Sequence, residues 1–282
     1  IVLDNMNATP PKELILISGG PGDPELLTRM AQEILSRPRL TIVCDRLIYR
    51  SFRRGFLFHP TAKVIERPRR QEDVNALLAS LLKNVDCVAR LKAGDGALYG
   101  RTASEASYFS ARGVRVRVVP GITSALAAPL YANVLSTMNE VSDHVIIMTG
   151  TLSTGSVSEG MMEAVPQSNV PPYDRTATLV VLMAVKRIGP LTKLMMSKGY
   201  PRTFPVCVIQ EASTLNKCRY SDIEHIEDVT NDPSDPIRTP ATFVFGWAVR
   251  DRVRGMSVWD KPISSPRSNV EEEEDGWRRR RR

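Results

Sequence analysis

Short apolar runs recur along the chain, separated by amphipathic stretches. LILIS (14–18), LTIVC (40–44), VDCVARL (85–91) and VRVRVV (114–119) read as buried strands. Between them, ELLTRMAQEILS (25–36) and DVNALLASLLKN (73–84) carry apolar residues at helical spacing. Strands alternating with helices predict a mainly parallel sheet with helices on its faces. After a break near YANVLSTMNEVSD (131–143), four more strands are expected: HVIIMTG (144–150), ATLVVLMAV (177–185), FPVCVIQ (204–210) and ATFVFGWAV (241–249). The expected fold class is therefore α/β, with two α/β domains over 12–132 and 140–250 and a ligand cleft between them. Residues 1–11 read as a flexible polar lead-in, and 151–176, rich in Ser, Gly, Pro and Asn, as a long surface loop with at most one short helix. The stretch 260–282 ends in five acids followed by five arginines and reads as a disordered charged tail.

Composition changes this picture little. The 282 residues are 42% hydrophobic and 24% charged, an ordinary globular balance. No apolar run approaches the roughly 18 residues of a membrane span, so no membrane partner is expected. The chain opens on IVLDNMNATPPK without Met and reads as a fragment or a processed chain. Cys44, Cys87, Cys207 and Cys218 form no CxxC pair, and three of them sit in apolar runs, which suits free thiols in a reducing, cytoplasmic compartment. His59, His144 and His225 match no zinc spacing, so no metal is expected.

Charge adds more. The net charge is +7. Arg46, Arg50, Arg53, Arg54, Lys63, Arg67, Arg69 and Arg70 crowd one stretch, opposed only by Glu66, a local excess as large as that net charge. Arginine forks suit bidentate carboxylate binding. A nucleic-acid patch could share this composition, but aromatics are 6% and no RNA-binding motif is present, so no nucleic acid is expected.

The stretch GGPGDPELLT (19–28) looks like a phosphate-binding turn, and its residues argue against one. Gly20 and Gly22 fit a dinucleotide fingerprint, but Glu25 stands at the third glycine position, and no Lys closes a P-loop. Asp23 adds negative charge where a phosphate would sit. Asp23, Pro24 and Glu25 instead suit a helix start. The glycines let backbone approach a ligand that is not strongly anionic.

These residues, taken in order with RLKAGDGALYGR (90–101), VVPGITSALAAPLYANVLST (118–137), TLVVLMAVKRI (178–188) and FPVCVIQEAST (204–214), resemble the tetrapyrrole methylases over about 13–249. Within that family the motifs look most like the branch that C-methylates uroporphyrinogen III for siroheme. The resemblance implies two α/β domains, S-adenosylmethionine in the cleft (leaving as S-adenosylhomocysteine), uroporphyrinogen III as acceptor, and a homodimer. It assigns donor contacts to Gly20, Pro21, Gly22, Ala93, Gly94, Asp95, Leu98, Thr123, Ser124, Met183 and Ala212. Thr123 and Ser124 also make a credible N-cap by themselves, and Met183 suits core packing equally well.

Asp45 follows the strand LTIVC, where a parallel sheet places functional groups, and matches the family's proposed proton acceptor. A plain salt bridge with Arg46 is the other reading. Arg46 and Arg101 are the candidates for acceptor carboxylates. Arg67 is the positional match to a family Lys proposed as a proton donor and is the second catalytic candidate beside Asp45; a guanidinium keeps its proton, which leaves Arg67 able to hold a carboxylate but not to donate in the same way. Three departures stand out: Ala93 for the first Gly of Gly-Gly-Asp, Gly96 for the following Pro, and TASEA (102–106) for Gly-Gly-Glu-Glu. The Ala93 methyl is expected to crowd the donor. The open alternatives are a precorrin, diphthine-type or ribosomal RNA methylase, or a non-catalytic donor-binding protein.

Overall fold

The computed structural model describes residues 12–52, 58–151, 170–253, 255, 256 and 258. The 1–11 lead-in, most of the loop predicted over 151–176, the charged tail, and Arg53 and Arg54 lie outside these residues.

Five parallel strands build the first sheet: β1 (Glu13–Ser18), β2 (Thr41–Cys44), β3 (Lys63–Glu66), β4 (Cys87–Lys92) and β5 (Arg115–Val119). Their order is β3-β2-β4-β1-β5. The two-residue period of β1 explains both its layers. Ile15 and Ile17 face a core with Ile34 and Leu35 of α1 (Arg29–Leu35) and Ile48 of α2 (Arg46–Phe52). Leu14 and Leu16 face the other way, onto Val74, Leu78 and Leu82 of α3 (Gln71–Asn84) and Phe109 of α4 (Thr102–Ser110).

The second sheet uses β6 (His144–Thr149), β7 (Ala177–Leu182), β8 (Pro205–Gln210), β9 (Lys217–Asp222) and β10 (Ala241–Phe245), in the order β6-β7-β10-β8-β9. One face packs on α5 (Ser124–Tyr131), where Ala125 and Ala128 meet Val180, Cys207, Ile209 and Val244. The other packs on α6 (Ile188–Ser197) and α7 (Ile226–Asn231), through Ile188, Leu191, Met195 and Ile226. The chain thus leaves the first sheet at Val119 and seats its next helix on the second. A short α8 (Trp247–Arg250) follows β10.

Several expectations need correction. Only the first sheet is wholly parallel. In the second, β6 and β7 are parallel, and the remaining pairings are antiparallel. The six residues joining β8 to β9 are too few for a parallel crossover and turn the chain straight back. The apolar run 177–185 stops being strand at Leu182 because Met183 takes φ 57°. The end of 241–249 is α8 rather than strand. The amphipathic stretch 25–36 is split: Pro24–Leu26 forms one 3-10 turn, Leu27 is extended, and α1 begins after Thr28. Thr28 ends the extended link because its hydroxyl accepts from the Ala31 amide at 3.3 Å, a cap no earlier residue supplies. The edge strands β3 and β9 carry too few apolar residues to show a strand pattern. No helix among the described residues is long and apolar enough to cross a membrane.

Candidate functional site

The two glycine-bearing loops sit side by side past the ends of β1 and β4. Those strands pair in register up to Ser18 and Lys92. The pairing then continues as a short antiparallel bridge: the Gly20 amide donates to the Gly94 carbonyl at 3.1 Å, and the Gly94 amide to the Gly20 carbonyl at 2.9 Å. Both glycines have positive φ, 71° and 65°. A Cβ on Gly20 would press on the Leu26 carbonyl at 3.2 Å, whereas one on Gly94 would meet nothing within 4 Å. The backbone at Gly94 therefore borders open space, which a ligand lying on the loop could fill.

Side chains lock these loops. Asp95 Oδ1 accepts from Ser18 Oγ at 3.3 Å and from the Ala97 amide at 3.0 Å. Asp23 Oδ1 accepts from the Glu25 amide, the expected cap, although it starts only one 3-10 turn. Pro120–Gly121 crosses close above: a Cβ on Gly121 would lie 2.5 Å from Ser18 Cβ. Thr123 is the N-cap of α5, its hydroxyl accepting from the Ala125 amide, and Ser124 is the first helical residue.

Asp45 stands at the head of α2, next to this pair of loops. Its Oδ1 lies 2.5 Å from Arg90 Nη2 and 2.6 Å from Arg67 Nε, and its Oδ2 accepts from the Ala93 amide at 3.2 Å. Burial alone would raise its pKa; the Arg90 guanidinium, the Ala93 amide and Arg67 outweigh burial and hold it below the usual carboxylate range. Its expected local partner is corrected: Arg46 instead faces Glu66, at 3.6 Å. Arg67 is partly committed, since Nη1 also donates to the carbonyls of Pro68 and Arg69. The Ala93 methyl packs against the core cluster of Ile17, Ile48 and Leu91.

Behind Asp45 lies a set of charges that the sequence reading missed. Arg90 and Lys92 side chains are each 3% exposed, and that of Glu105 is 1% exposed. Arg90 Nε faces Glu105 Oε1 at 3.8 Å, and Lys92 Nζ lies 2.6 Å from Glu105 Oε2. Lys92 also donates to the Gly100 carbonyl, and Gln71 Nε2 to Glu105. Burial pulls the Lys92 pKa down, against the pull of Glu105. The signal was present: two cations two positions apart in the apolar strand VARLK must share one face of the sheet.

The second half of the chain reaches these loops. The Asp23 amide donates to Ser213 Oγ at 3.0 Å, and the Tyr99 hydroxyl to the Ile147 carbonyl at 3.3 Å. Leu98 packs against the cluster under α5. Leu182 and Ile209 flank Thr242 of β10, so Met183 and Ala212 emerge at the same end of the second sheet. Met183 is 47% exposed, so its side chain does not belong to the core. Ala212 is buried. Arg101 is exposed with φ 57° at the head of α4, and no contact joins it to Asp45. Of the basic cluster, Lys63, Arg69 and Arg70 are exposed.

Residues 13–224 match the family described as Tetrapyrrole (Corrin/Porphyrin) Methylases. The chain is 30% identical over 205 residues to a probable uroporphyrinogen-III C-methyltransferase of Schizosaccharomyces pombe, an alignment covering 71% of this chain and 39% of that one. It is 34% identical over 220 residues to a siroheme synthase of Nitrosospira multiformis, covering 75% of this chain and 44% of the other. The chain therefore spans about two fifths of the length of these relatives. Among solved structures, the uroporphyrin-III C-methyl transferase of Thermus thermophilus complexed with S-adenosyl homocysteine superposes with a TM-score of 0.69 at 28% identity, over 85% of this chain and 99% of that one.

Proposed function

The chain belongs to the tetrapyrrole (corrin/porphyrin) methylases, and from that premise we propose that it moves methyl groups from S-adenosylmethionine to carbons of uroporphyrinogen III, giving precorrin-2 for siroheme. The observation that carries this reading is the Gly20–Gly94 bridge, which sets two backbone-lined loops beside an ionised Asp45.

The residues present suit a sulfonium ligand. The loops offer amides, carbonyls and the Asp95 carboxylate, with open space above Gly94. Lys92, at the end of β4, is turned onto Glu105 and Gly100 rather than toward the loops. Gly20, Pro21, Gly22, Ala93, Gly94, Asp95, Leu98, Thr123, Ser124, Met183 and Ala212 would hold the donor. When bound, S-adenosylmethionine supplies an electrophilic methyl group and leaves as S-adenosylhomocysteine.

Rate would come chiefly from alignment of the acceptor carbon. Arg46 and Arg101, exposed and forked, would hold acceptor carboxylates. A pyrrole that gains a methyl on carbon becomes positively charged and must then lose a proton. Asp45, ionised at neutral pH, would stabilise that charge and accept the proton; its low pKa makes it a weak base and an effective counter-charge. Arg67 would keep Asp45 in place and face the acceptor with its remaining edge. The two sheets would form the cores of units over 12–132 and 140–250, with α5 as the arm of the first lying on the second.

Two copies would associate. Leu126 and Leu130, four apart on α5, are 50% and 40% exposed, and Val118 and Ile122 ahead of the helix are 50% and 39% exposed, apolar surface that suits a self-complementary contact. Four free thiols suit a reducing, cytoplasmic setting. Anaerobic incubation with labelled donor and the porphyrinogen tests the reading. Labelled methyl in the tetrapyrrole is the expected result. Absence of product at saturating donor, with S-adenosylhomocysteine still bound, would leave a donor-binding protein without this activity.

A further inference from the structure

We infer that Arg90, held by two strand carbonyls and backed by the Glu105 carboxylate, is a positioning residue that fixes the Asp45 carboxylate against both the acceptor side and the donor loop. The inference rests on the reading of Asp45 given above, and extends it to two residues that touch neither ligand.

The geometry is one chain of contacts running from the core to the cleft. At the inner end Gln71 Nε2 donates to Glu105 Oε1 at 2.9 Å, and Lys92 Nζ lies 2.6 Å from Oε2. Glu105 is thereby oriented, with Oε1 3.8 Å from Arg90 Nε. Arg90 cannot swing, because Nη1 donates to the carbonyls of Leu91 at 2.8 Å and Val43 at 3.3 Å, both in the sheet itself. That leaves Nη2 aimed outward at Asp45 Oδ1, at 2.5 Å. Asp45 passes the constraint on: its other oxygen receives the Ala93 amide, the first residue of the loop bridged to Gly20. One carboxylate thus touches the guanidinium clamp, Arg67 and the donor loop together.

Stability alone gives this arrangement little reason. Burying two cations and the Glu105 carboxylate costs several kcal/mol of desolvation per ion, and packed apolar groups of equal volume usually do as well or better. What an apolar set cannot do is hold a carboxylate ionised and in one rotamer at the mouth of a cleft. The other groups facing Asp45 are Arg67 after β3, Cys44 beside it on β2, whose thiol burial pushes up, and Lys92 on β4. Arg46 and Glu66 sit further out as a pair of their own. Removing Arg90 still leaves two balanced pairs, Asp45 with Arg67 and Glu105 with Lys92, so the variant is expected to fold.

The test uses Arg90→Met and Glu105→Gln in the full chain. Carbon-13 NMR of labelled aspartate, with Asp45→Asn to assign the resonance, follows the Asp45 titration without requiring activity. Arg90→Met is expected to raise the Asp45 midpoint by about one unit or more. The acid limb of the kcat profile should move up by a similar amount, with S-adenosylhomocysteine affinity changed less than kcat. Glu105→Gln should lower kcat and broaden the Asp45 resonance as Arg90 loses its backing, and it serves if Arg90→Met fails to fold. Arg90→Lys, keeping the charge but not the fork, should restore the midpoint better than it restores kcat. An Asp45 titration and lineshape unchanged in the folded variants overturn the clamp. A wild type that makes no methylated tetrapyrrole overturns the proposed reaction instead, and the titration still decides the clamp.

Discussion

At Asp45 one carboxylate accepts from two guanidinium groups and a backbone amide, and this saturation sets what the residue can do. Its folded pKa lies below the ordinary value of about 3.9, because the arginines outweigh burial. The sign of the linkage follows: the stability it contributes is fully present above about pH 4 and is lost as pH falls through the lowered folded value. Asp45→Asn should therefore unfold with a flatter pH dependence below pH 4 than the wild type, read by chemical denaturation across that range. The same variant should lose on the order of 10²-fold or more in kcat, the scale of a proton-transfer group, while keeping S-adenosylhomocysteine affinity within a few-fold. A kcat reduced only a few-fold would place the proton acceptor elsewhere. Asp45 was legible in the sequence from its place after a parallel strand. Its partners were not, because Arg90 lies 45 positions away and meets it only through the alignment of β2 with β4.

At the scale of elements, the loop from Ala93 to Thr102 departs from the family pattern, and its packing explains how. The Gly96 amide donates to Ser18 Oγ at 3.0 Å, and its carbonyl accepts from Thr102 Oγ1 at 2.7 Å. A Cβ at Gly96 would stand 2.7 Å from Thr102 Oγ1 and 3.0 Å from Lys92 Cδ. Gly96 and Thr102 are therefore a matched pair: the hydroxyl fills the space that a larger residue at 96 would need. Gly96→Ala should cost about 1–3 kcal/mol in denaturant unfolding, the usual range for overpacking. Gly96→Pro should cost more, since it also removes the amide that Ser18 accepts. Adding Thr102→Gly should recover part of the Gly96→Ala loss, and purely additive costs would show that the two positions are not coupled. Further along, Thr28→Ala should destabilise by about 1 kcal/mol, because Thr28 and not Asp23 caps α1. Sequence pattern located this helix and misjudged its start. The sequence pattern put the cap at Asp23, and the extended Leu27 that separates it from α1 shows only in three dimensions.

Among the described residues, α5, Leu98 and hydrogen bonds such as Asp23 to Ser213 and Tyr99 to Ile147 join the sheets. The helix buries Ala125 and Ala128 on the second sheet and leaves Leu126 and Leu130 outside. If that outer row is a contact between copies, Leu126→Glu with Leu130→Glu should halve the mass measured by sedimentation while leaving the circular dichroism unchanged. A wild type that sediments as a monomer at micromolar concentration would sink the dimer. The sequence by itself determined the α/β class, the order of most strands and the two glycine loops, because periodicity, turn residues and ordered motifs are local properties of a chain. It also marked Asp45, while the donor-contact positions rest on the family resemblance of those motifs. Only the tertiary structure decided that the second sheet is mixed, that the Ala93 amide meets Asp45, and that Arg90 and Glu105 stand behind it. Each of these depends on which residues meet across strands and layers. A buried ion pair leaves no periodic trace in the chain, since its cost is offset by partners far away in sequence.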